Sequence, residues 1–141
     1  MTNEEVAKGL LKQAQSRRQA AGRSLDDEDY AFVIRLSQEC VELSLKAALY
    51  FAGIDFPKWH DVSPVLRQNR AKFPKWFSEK TDYLAQISER LREERERSMY
   101  GDEALGIPPD ALYREEEAKQ ALAGAEEVLA TCGKLIGVRE G

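Results

Sequence analysis

The sequence contains few of the residues from which many active sites are built. Its 141 residues include one histidine, His60, and two cysteines, Cys40 and Cys132, which lie far apart in the chain. Sites with several histidine ligands are therefore excluded, and the cysteines form no CxxC pair. We expect both cysteines to be small apolar core residues in a reducing compartment.

Several binding motifs are also absent from the sequence. There is no Walker loop and no GxGxxG motif, which are the ordinary phosphate-binding loops. The carboxylates lack the Glu-x-x-His pairs of di-iron helical bundles. We therefore expect neither a bound metal nor a cofactor.

Long hydrophobic runs are missing as well. No segment approaches the roughly 20 apolar residues that span a bilayer, and no basic and apolar N-terminal run suggests a signal peptide. We expect a cytoplasmic protein that does not contact a membrane. The formal net charge of −4 argues against DNA binding, although a local basic patch could still bind RNA. The content of 43% hydrophobic and 33% charged residues is typical of a globular chain, and the length suits one domain over residues 1–141.

Apolar residues recur at helical spacing along the chain, without strand alternation or repeats. The first predicted helix opens at Asn3 and ends near Gly22, and Ser24 or Asp26 is predicted to cap the second. Asp110 is predicted to cap the last helix. The remaining approximate bounds are a second helix to 52, a short helix over 63–70 and a long helix over 78–101. These four long or medium helices and one short connecting helix predict an all-α, up-and-down antiparallel bundle.

The His60-Asp61 pair lies just before the predicted short helix. We interpret it as structural rather than catalytic. Asp61 is expected to accept backbone amides at the start of that helix, and His60 is expected to pack beside Trp59.

Polar residues form a stripe on the second helix. Gln38, Glu42 and Lys46 recur every four residues, so they lie on one side, and Glu42 before Lys46 is the favourable order for an ion pair. The stripe is either solvated or faces another subunit or a ligand cleft.

The stretch from Arg95 to Asp102 is the best candidate for a functional site. The apolar stripe of the predicted long helix continues, in steps of three and four, onto Arg95, Ser98 and Asp102. A buried arginine requires a partner, so Arg95 is expected to pair with a carboxylate (Asp102 or one on the second helix) or to face a cleft or dimer interface. Arg95 and Arg97 also lie near a helix C-terminus, where cations are favoured. Tyr100 lies on another side unless the helix breaks near Gly101.

The order and spacing of several short motifs resemble the HEPN domain family. The second helix carries a pattern of the type Q-x-x-x-E-x-x-x-K-A-x-L, and the resemblance continues to the last helix. The residues involved are Gln38 to Leu49, Gly53, Pro57, His60-Asp61, Leu66, the arginine-rich helix and Tyr113 to Ala118. The resemblance implies a helical bundle that commonly forms a two-fold dimer. It also implies kinship with RNA-cleaving toxins of toxin–antitoxin and defence systems, often encoded beside a minimal nucleotidyltransferase.

The family's ribonuclease motif, R-x4-6-H, is incomplete in this sequence. Arg95 matches its arginine, but Tyr100 stands five positions later and no histidine lies within the motif's range. His60 matches the family's structural His-Asp instead. Tyrosine, with an ordinary pKa near 10, is a poor general base at neutral pH. The resemblance therefore favours the non-catalytic members of the family.

Three hypotheses follow from the sequence. The first is a non-catalytic dimer that binds a nucleotide, RNA or a nucleotidyltransferase-fold partner. Its binding residues would be Arg95, Arg97, Tyr100, Asp102, Gln38, Glu42 and Lys46. The second is a divergent, metal-independent endoribonuclease that uses Arg95 and Tyr100. The third is a purely structural interaction bundle.

Overall fold

The computed structural model describes residues 1–58 and 61–138, and this part of the chain is predominantly helical. Its α-helices are α1 (Asn3–Asp26), α2 (Tyr30–Phe51), α3 (Ser63–Gln68), α4 (Lys75–Ser78), α5 (Thr81–Glu93), α6 (Arg95–Tyr100) and α7 (Glu115–Ile136). Single 3-10 turns occur at Arg70–Lys72 and Pro109–Ala111. The predicted all-α fold, with four longer helices, is confirmed. None of the helices in the described ranges is long and apolar enough to cross a bilayer.

Helix α2 lies at the centre of the core. Its consecutive residues Ala47, Ala48 and Leu49 are all fully buried, so the helix is covered on most of its circumference. Helices α1 and α7 pack on it, and α5 and α6 cover a further part. Cys40 on α2 and Cys132 on α7 are both fully buried, which confirms their prediction as core residues.

The connection between α1 and α2 differs from the prediction. Helix α1 continues through Gly22 to Asp26, and Ser24 is a buried residue within it. The cap of α2 is Asp29, whose Oδ1 accepts a hydrogen bond from the Phe32 backbone at 3.4 Å. A glycine in a helix costs only about 1 kcal/mol, which the burial of apolar residues in the last turns of α1 offsets. The predicted end near Gly22 and the caps Ser24 and Asp26 were therefore wrong.

Replacing Gly22 with alanine is expected to raise the free energy of unfolding by roughly 0.5–1 kcal/mol. A Cβ at this position would meet no atom within 4 Å, so the change adds helix propensity without a clash. Urea denaturation would measure the gain. Gly9→Ala, at a second open site on α1, should give a similar gain, and a loss of stability at both sites would contradict this account.

The start of α3 confirms the role predicted for Asp61. Its Oδ1 accepts hydrogen bonds from the Ser63 backbone amide at 3.0 Å and from the Ser63 hydroxyl at 2.8 Å. The predictions for Trp59 and His60 lie outside the described residues. Helix α3 ends at Gln68, close to the predicted end at 70.

The segment from Phe73 to Phe77 connects α3 with α5 and packs on the bundle. Both phenylalanines are buried, and their ring centroids are 4.6 Å apart. The segment also contains the short helix α4, and the next helix begins at Thr81 instead of Ser78. The connector is therefore part of the core.

The last helix begins later than predicted. Asp110 lies in the 3-10 turn Pro109–Ala111, and α7 begins at Glu115 with Arg114 as its N-cap residue. The Glu117 side chain accepts a hydrogen bond from the Arg114 backbone amide at 3.2 Å. The carboxylate that satisfies the start of this helix comes from its first turn, so the prediction of Asp110 as the cap was wrong.

Candidate functional site

The predicted long helix over 78–101 is interrupted before the candidate site. Helix α5 ends at Glu93 and α6 begins at Arg95, with Glu94 between them at φ −89° and ψ −1°. The Glu94 carboxylate accepts a hydrogen bond from the Tyr113 hydroxyl at 2.7 Å. Because the helix is broken here, the spacing of α5 does not fix which side chains after Glu94 are buried.

Arg95 is exposed, contrary to the predicted inward position. The apolar stripe of the predicted long helix was extended onto Arg95, Ser98 and Asp102, and of these only Ser98 is buried. The Ser98 hydroxyl donates a hydrogen bond to the Arg95 carbonyl at 3.1 Å. Asp102 is partly buried but accepts a hydrogen bond from the Leu105 backbone instead. Within residues 1–58 and 61–138, no carboxylate forms an ion pair with Arg95. The expected pairing of Arg95 with a carboxylate was therefore wrong, whereas the alternative, that Arg95 faces a cleft or dimer interface, stays a prediction.

The arginine that reaches the second helix is Arg92. Its Nη1 lies 2.9 Å from Glu42 Oε1, and both side chains are largely buried. Glu42 also lies 3.9 Å from Lys46 Nζ, which confirms the predicted pair, and Lys46 donates to the Lys58 carbonyl at 3.2 Å. This ion cluster (Glu42, Lys46 and Arg92) connects α2 with α5 and with the chain after α2. The sequence contained a signal for Arg92, since it follows the buried Ser88 by four residues.

Gln38, the first residue of the predicted stripe, is not solvated. Its side chain is only 4% exposed, and Oε1 has no hydrogen-bond donor in the described part of the chain. Gln38, Glu42 and Lys46 therefore face the interior or neighbouring segments, so the solvated interpretation of the stripe was wrong.

The predicted site has one part on α2 and another part on α6 and the residue pair that follows it. Direct polar contacts do not join these two parts. In the ranges that the structure describes, no hydrogen bond or ion pair connects Gln38 or the ion cluster with Arg95, Arg97, Tyr100 or Asp102. Helix α6 does pack against α2. The ion cluster therefore supports the position of α5, and the residues available for binding are those on α6.

Five side chains of α6 and the following loop are exposed and are here called the α6 surface: Arg95, Arg97, Met99, Tyr100 and Leu105. Tyr100 and Leu105 are 61% and 72% exposed. Arg97 lies 3.7 Å from Glu94 and shares a side of the helix with Tyr100, because the two are three residues apart. The surface thus combines two guanidinium groups with an aromatic ring and apolar side chains.

The backbone after α6 fixes the end of this surface. Gly101 adopts φ 77° and ψ −164°, a conformation that favours glycine. The next residue, Asp102, exchanges two backbone hydrogen bonds with Ile107, at 2.8 and 3.0 Å. A Cβ on Gly101 would lie 2.1 Å from the Ile107 carbonyl oxygen. The loop therefore closes directly against the end of α6.

Comparison with protein families identifies the chain. The HEPN domain model matches residues 7–135, which extend from α1 nearly to the end of α7. The chain belongs to the HEPN domain family. A comparison with curated proteins and one with solved structures gave no significant match.

The HEPN match spans both the ion cluster and the α6 surface. Tyr100, which stands five residues after Arg95 in this HEPN protein, is exposed. The part of the chain that the structure describes contains no group of three or more histidine, cysteine or acidic side chains that could hold a metal ion. What the α6 surface offers a ligand is guanidinium donors and a phenol ring.

Proposed function

We propose that this HEPN protein is a non-catalytic binding protein that holds phosphate groups of RNA or a nucleotide on its α6 surface. The observation that carries the proposal is the exposure of Arg95 without an ion pair among the described residues. Such a guanidinium can donate two hydrogen bonds to a phosphate without first breaking an internal pair. Tyr100 adds an exposed ring on which a base can stack.

The identity of Tyr100 supports binding over catalysis. Metal-independent RNA cleavage requires a group that takes the proton from the 2′-hydroxyl. A phenol performs this step poorly at neutral pH. Arg95 can stabilise negative charge on a phosphate but does not replace the missing base.

Exposed apolar residues of the α6 surface support a homodimer as the binding unit. Met99 is 38% exposed and Leu105 is 72% exposed, on either side of Tyr100 in sequence. Methionine, tyrosine and arginine are enriched in protein interfaces. We therefore include a two-fold dimer in the proposal. A nucleotidyltransferase-fold protein, which the family resemblance implies, is the proposed second partner.

Removing both exposed arginines should abolish most of the RNA binding without unfolding the protein. We expect R95A/R97A to weaken binding of a short, labelled single-stranded RNA by about tenfold or more, because charge-assisted hydrogen bonds to phosphate are lost. The dependence of the affinity on salt should also decrease. The free energy of unfolding should change by less than about 0.5 kcal/mol. Fluorescence anisotropy at two salt concentrations and urea denaturation would measure these effects.

The matched control is K12A/R23A, which removes the same charge from exposed positions on α1. Equal weakening by both double variants would show that net charge, rather than the α6 surface, governs binding. Unchanged binding in R95A/R97A would show that RNA binds elsewhere on the protein, and an absence of RNA binding by the unmodified chain would favour the structural interaction bundle.

The second candidate is a divergent endoribonuclease, and the exposure of both Arg95 and Tyr100 on α6 favours it. The same RNA can be used to test for this activity. Cleavage in EDTA that Tyr100→Phe slows would establish that activity and contradict the non-catalytic proposal. Tyr100→Phe keeps the ring for stacking, so it should leave RNA binding intact.

A further inference from the structure

A groove of about 650 Å³ lies between α5 and α7, and none of the α6-surface residues lines it. Its floor is apolar and reaches α2. The floor residues are Ile34, Ile87, Leu91 and Ala121, each less than 10% exposed. The groove therefore offers an elongated apolar surface beside the site already described.

Two tyrosine–glutamate hydrogen bonds bridge the helices at opposite ends of the groove. Tyr83 on α5 donates to Glu127 on α7 at 2.7 Å, and Tyr113, just before α7, donates to Glu94 at 2.7 Å. These pairs show that α5 and α7 run antiparallel along the groove. From residue 83 to residue 94, helical rise gives a length of about 16 Å, or three helical turns.

Both bridging phenols remain protonated donors over the physiological pH range. Burial and the hydrogen bond to Glu94 raise the pKa of Tyr113. The hydrogen bond to Glu127, followed by burial, raises the pKa of Tyr83. The two tyrosine–glutamate hydrogen bonds therefore fix the distance between the walls of the groove at both of its ends.

Gly124 lies on the wall formed by α7, in the interior of that helix. A glycine in a helix interior costs about 1 kcal/mol relative to alanine. Its φ is not positive, and an added Cβ would make only ordinary contact with Ile87, at 3.4 Å. Neither backbone strain nor close packing within the chain requires this glycine. What the missing side chain provides is depth in the groove.

The rim of the groove is strongly acidic. It carries one arginine, Arg90, and four glutamates: Glu93, Glu94, Glu117 and Glu127. Glutamates on both sides of an apolar floor complement a ligand with an apolar ridge and cations on either side of it.

We infer that this groove binds a basic amphipathic helix of a partner protein. A helix of about three turns matches the length, and leucine-like side chains at i, i+3 or i+4 and i+7 fit the floor. Lysine or arginine residues flanking that ridge meet the glutamates. The wall at Gly124 allows the partner backbone to approach closely.

The experiment uses a synthetic peptide of about four helical turns, with a leucine ridge flanked by lysines, and an otherwise identical peptide flanked by glutamates. Calorimetric titration of the full chain should detect binding of the basic peptide and at least about tenfold weaker binding of the acidic one. Gly124→Phe, which fills the groove, should weaken binding of the basic peptide by about tenfold or more. Gly124→Ala adds only a Cβ to the same wall, so it should weaken binding of the basic peptide by less than Gly124→Phe does.

A charge variant keeps the test decisive if Gly124→Phe fails to fold. Glu93→Lys reverses one charge on the exposed rim, whereas Glu116→Lys makes the same reversal on an exposed residue outside the groove. Only Glu93→Lys should weaken binding of the basic peptide, by about threefold to tenfold.

Three outcomes would overturn the inference. They are equal binding of the two peptides, no binding of the basic peptide, and a change of oligomeric state in Gly124→Phe, which would assign the groove to a second copy of this chain. Arg95 does not line the groove and forms no ion pair among the described residues, so Arg95→Ala should weaken RNA binding and leave binding of the basic peptide unchanged. Failure of this inference is therefore distinguishable from failure of the proposed RNA binding.

Discussion

Replacing Gly101 with alanine is expected to lower the free energy of unfolding by about 2–4 kcal/mol. The φ of 77° is already unfavourable for alanine, and the new Cβ would lie 2.1 Å from the Ile107 carbonyl oxygen and 3.0 Å from the Pro108 backbone. These are backbone atoms that cannot rotate away. The loop must therefore shift, with loss of the two hydrogen bonds that close it against α6.

Gly106→Ala is the matched control for Gly101→Ala, and urea denaturation would measure both. Gly106 also has a positive φ, 68°, but a Cβ there would meet no atom within 4 Å. Gly106→Ala should lower the free energy of unfolding by about 1–2 kcal/mol, because only backbone strain is added. Equal losses at the two positions would contradict the clash as the main cause. Because the loop fixes the end of α6, Gly101→Ala should also weaken RNA binding more than Gly106→Ala does.

Replacing Phe77 with alanine should lower the free energy of unfolding by about 3–5 kcal/mol. Phe77 is fully buried and contacts the rings of Phe73 and Trp76, with centroids 4.6 and 5.8 Å away. The truncation leaves a cavity where the connector between α3 and α5 enters the core. Thermal and urea unfolding would measure the loss.

Phe32→Ala is the control for Phe77→Ala, since it removes the same atoms from a side chain that is 43% exposed. Phe32→Ala should lower the free energy of unfolding by less than about 1 kcal/mol. If Phe77→Ala does not fold, Phe77→Leu should show a smaller loss in the same direction. A loss at Phe77 no larger than that at Phe32 would contradict an anchoring role for the connector.

The helical spacing in the sequence was sufficient to predict the central elements of the fold. The apolar period of the second helix and Gly53 after it placed the end of α2 within one residue of its observed position at Phe51. Asp61 was predicted correctly because its role depends on Ser63, two residues away. Interactions between near neighbours are visible in the sequence.

The interruption at Glu94 could not be predicted in this way. The residues from 90 to 97 are strong helix formers without glycine or proline, so propensity predicts continuous helix. The contact that accompanies the interruption is the hydrogen bond from Tyr113, nineteen residues later. Only the tertiary structure brings those residues together.

The interruption explains why the extended stripe gave the wrong position for Arg95. Extending the stripe of α5 assigned the inward position to Arg95, whereas Arg92 makes the contact with Glu42. Arg95 instead became the exposed cation on which the binding proposal depends. The groove between α5 and α7 was not predicted, because local spacing does not show how far apart two packed helices lie.

The buried cysteine on α7 makes the unfolding of this bundle directly measurable by chemistry. Thiol reagents attack the thiolate, and burial, with a contribution from the neighbouring Cys40, raises the pKa of the Cys132 thiol. Alkylation of Cys132 therefore requires α7 to separate from the core. The rate at which Cys132 itself is alkylated, followed by mass spectrometry so that Cys40 is counted separately, then reports how often that helix opens. A ligand seated between α5 and α7 should slow this rate.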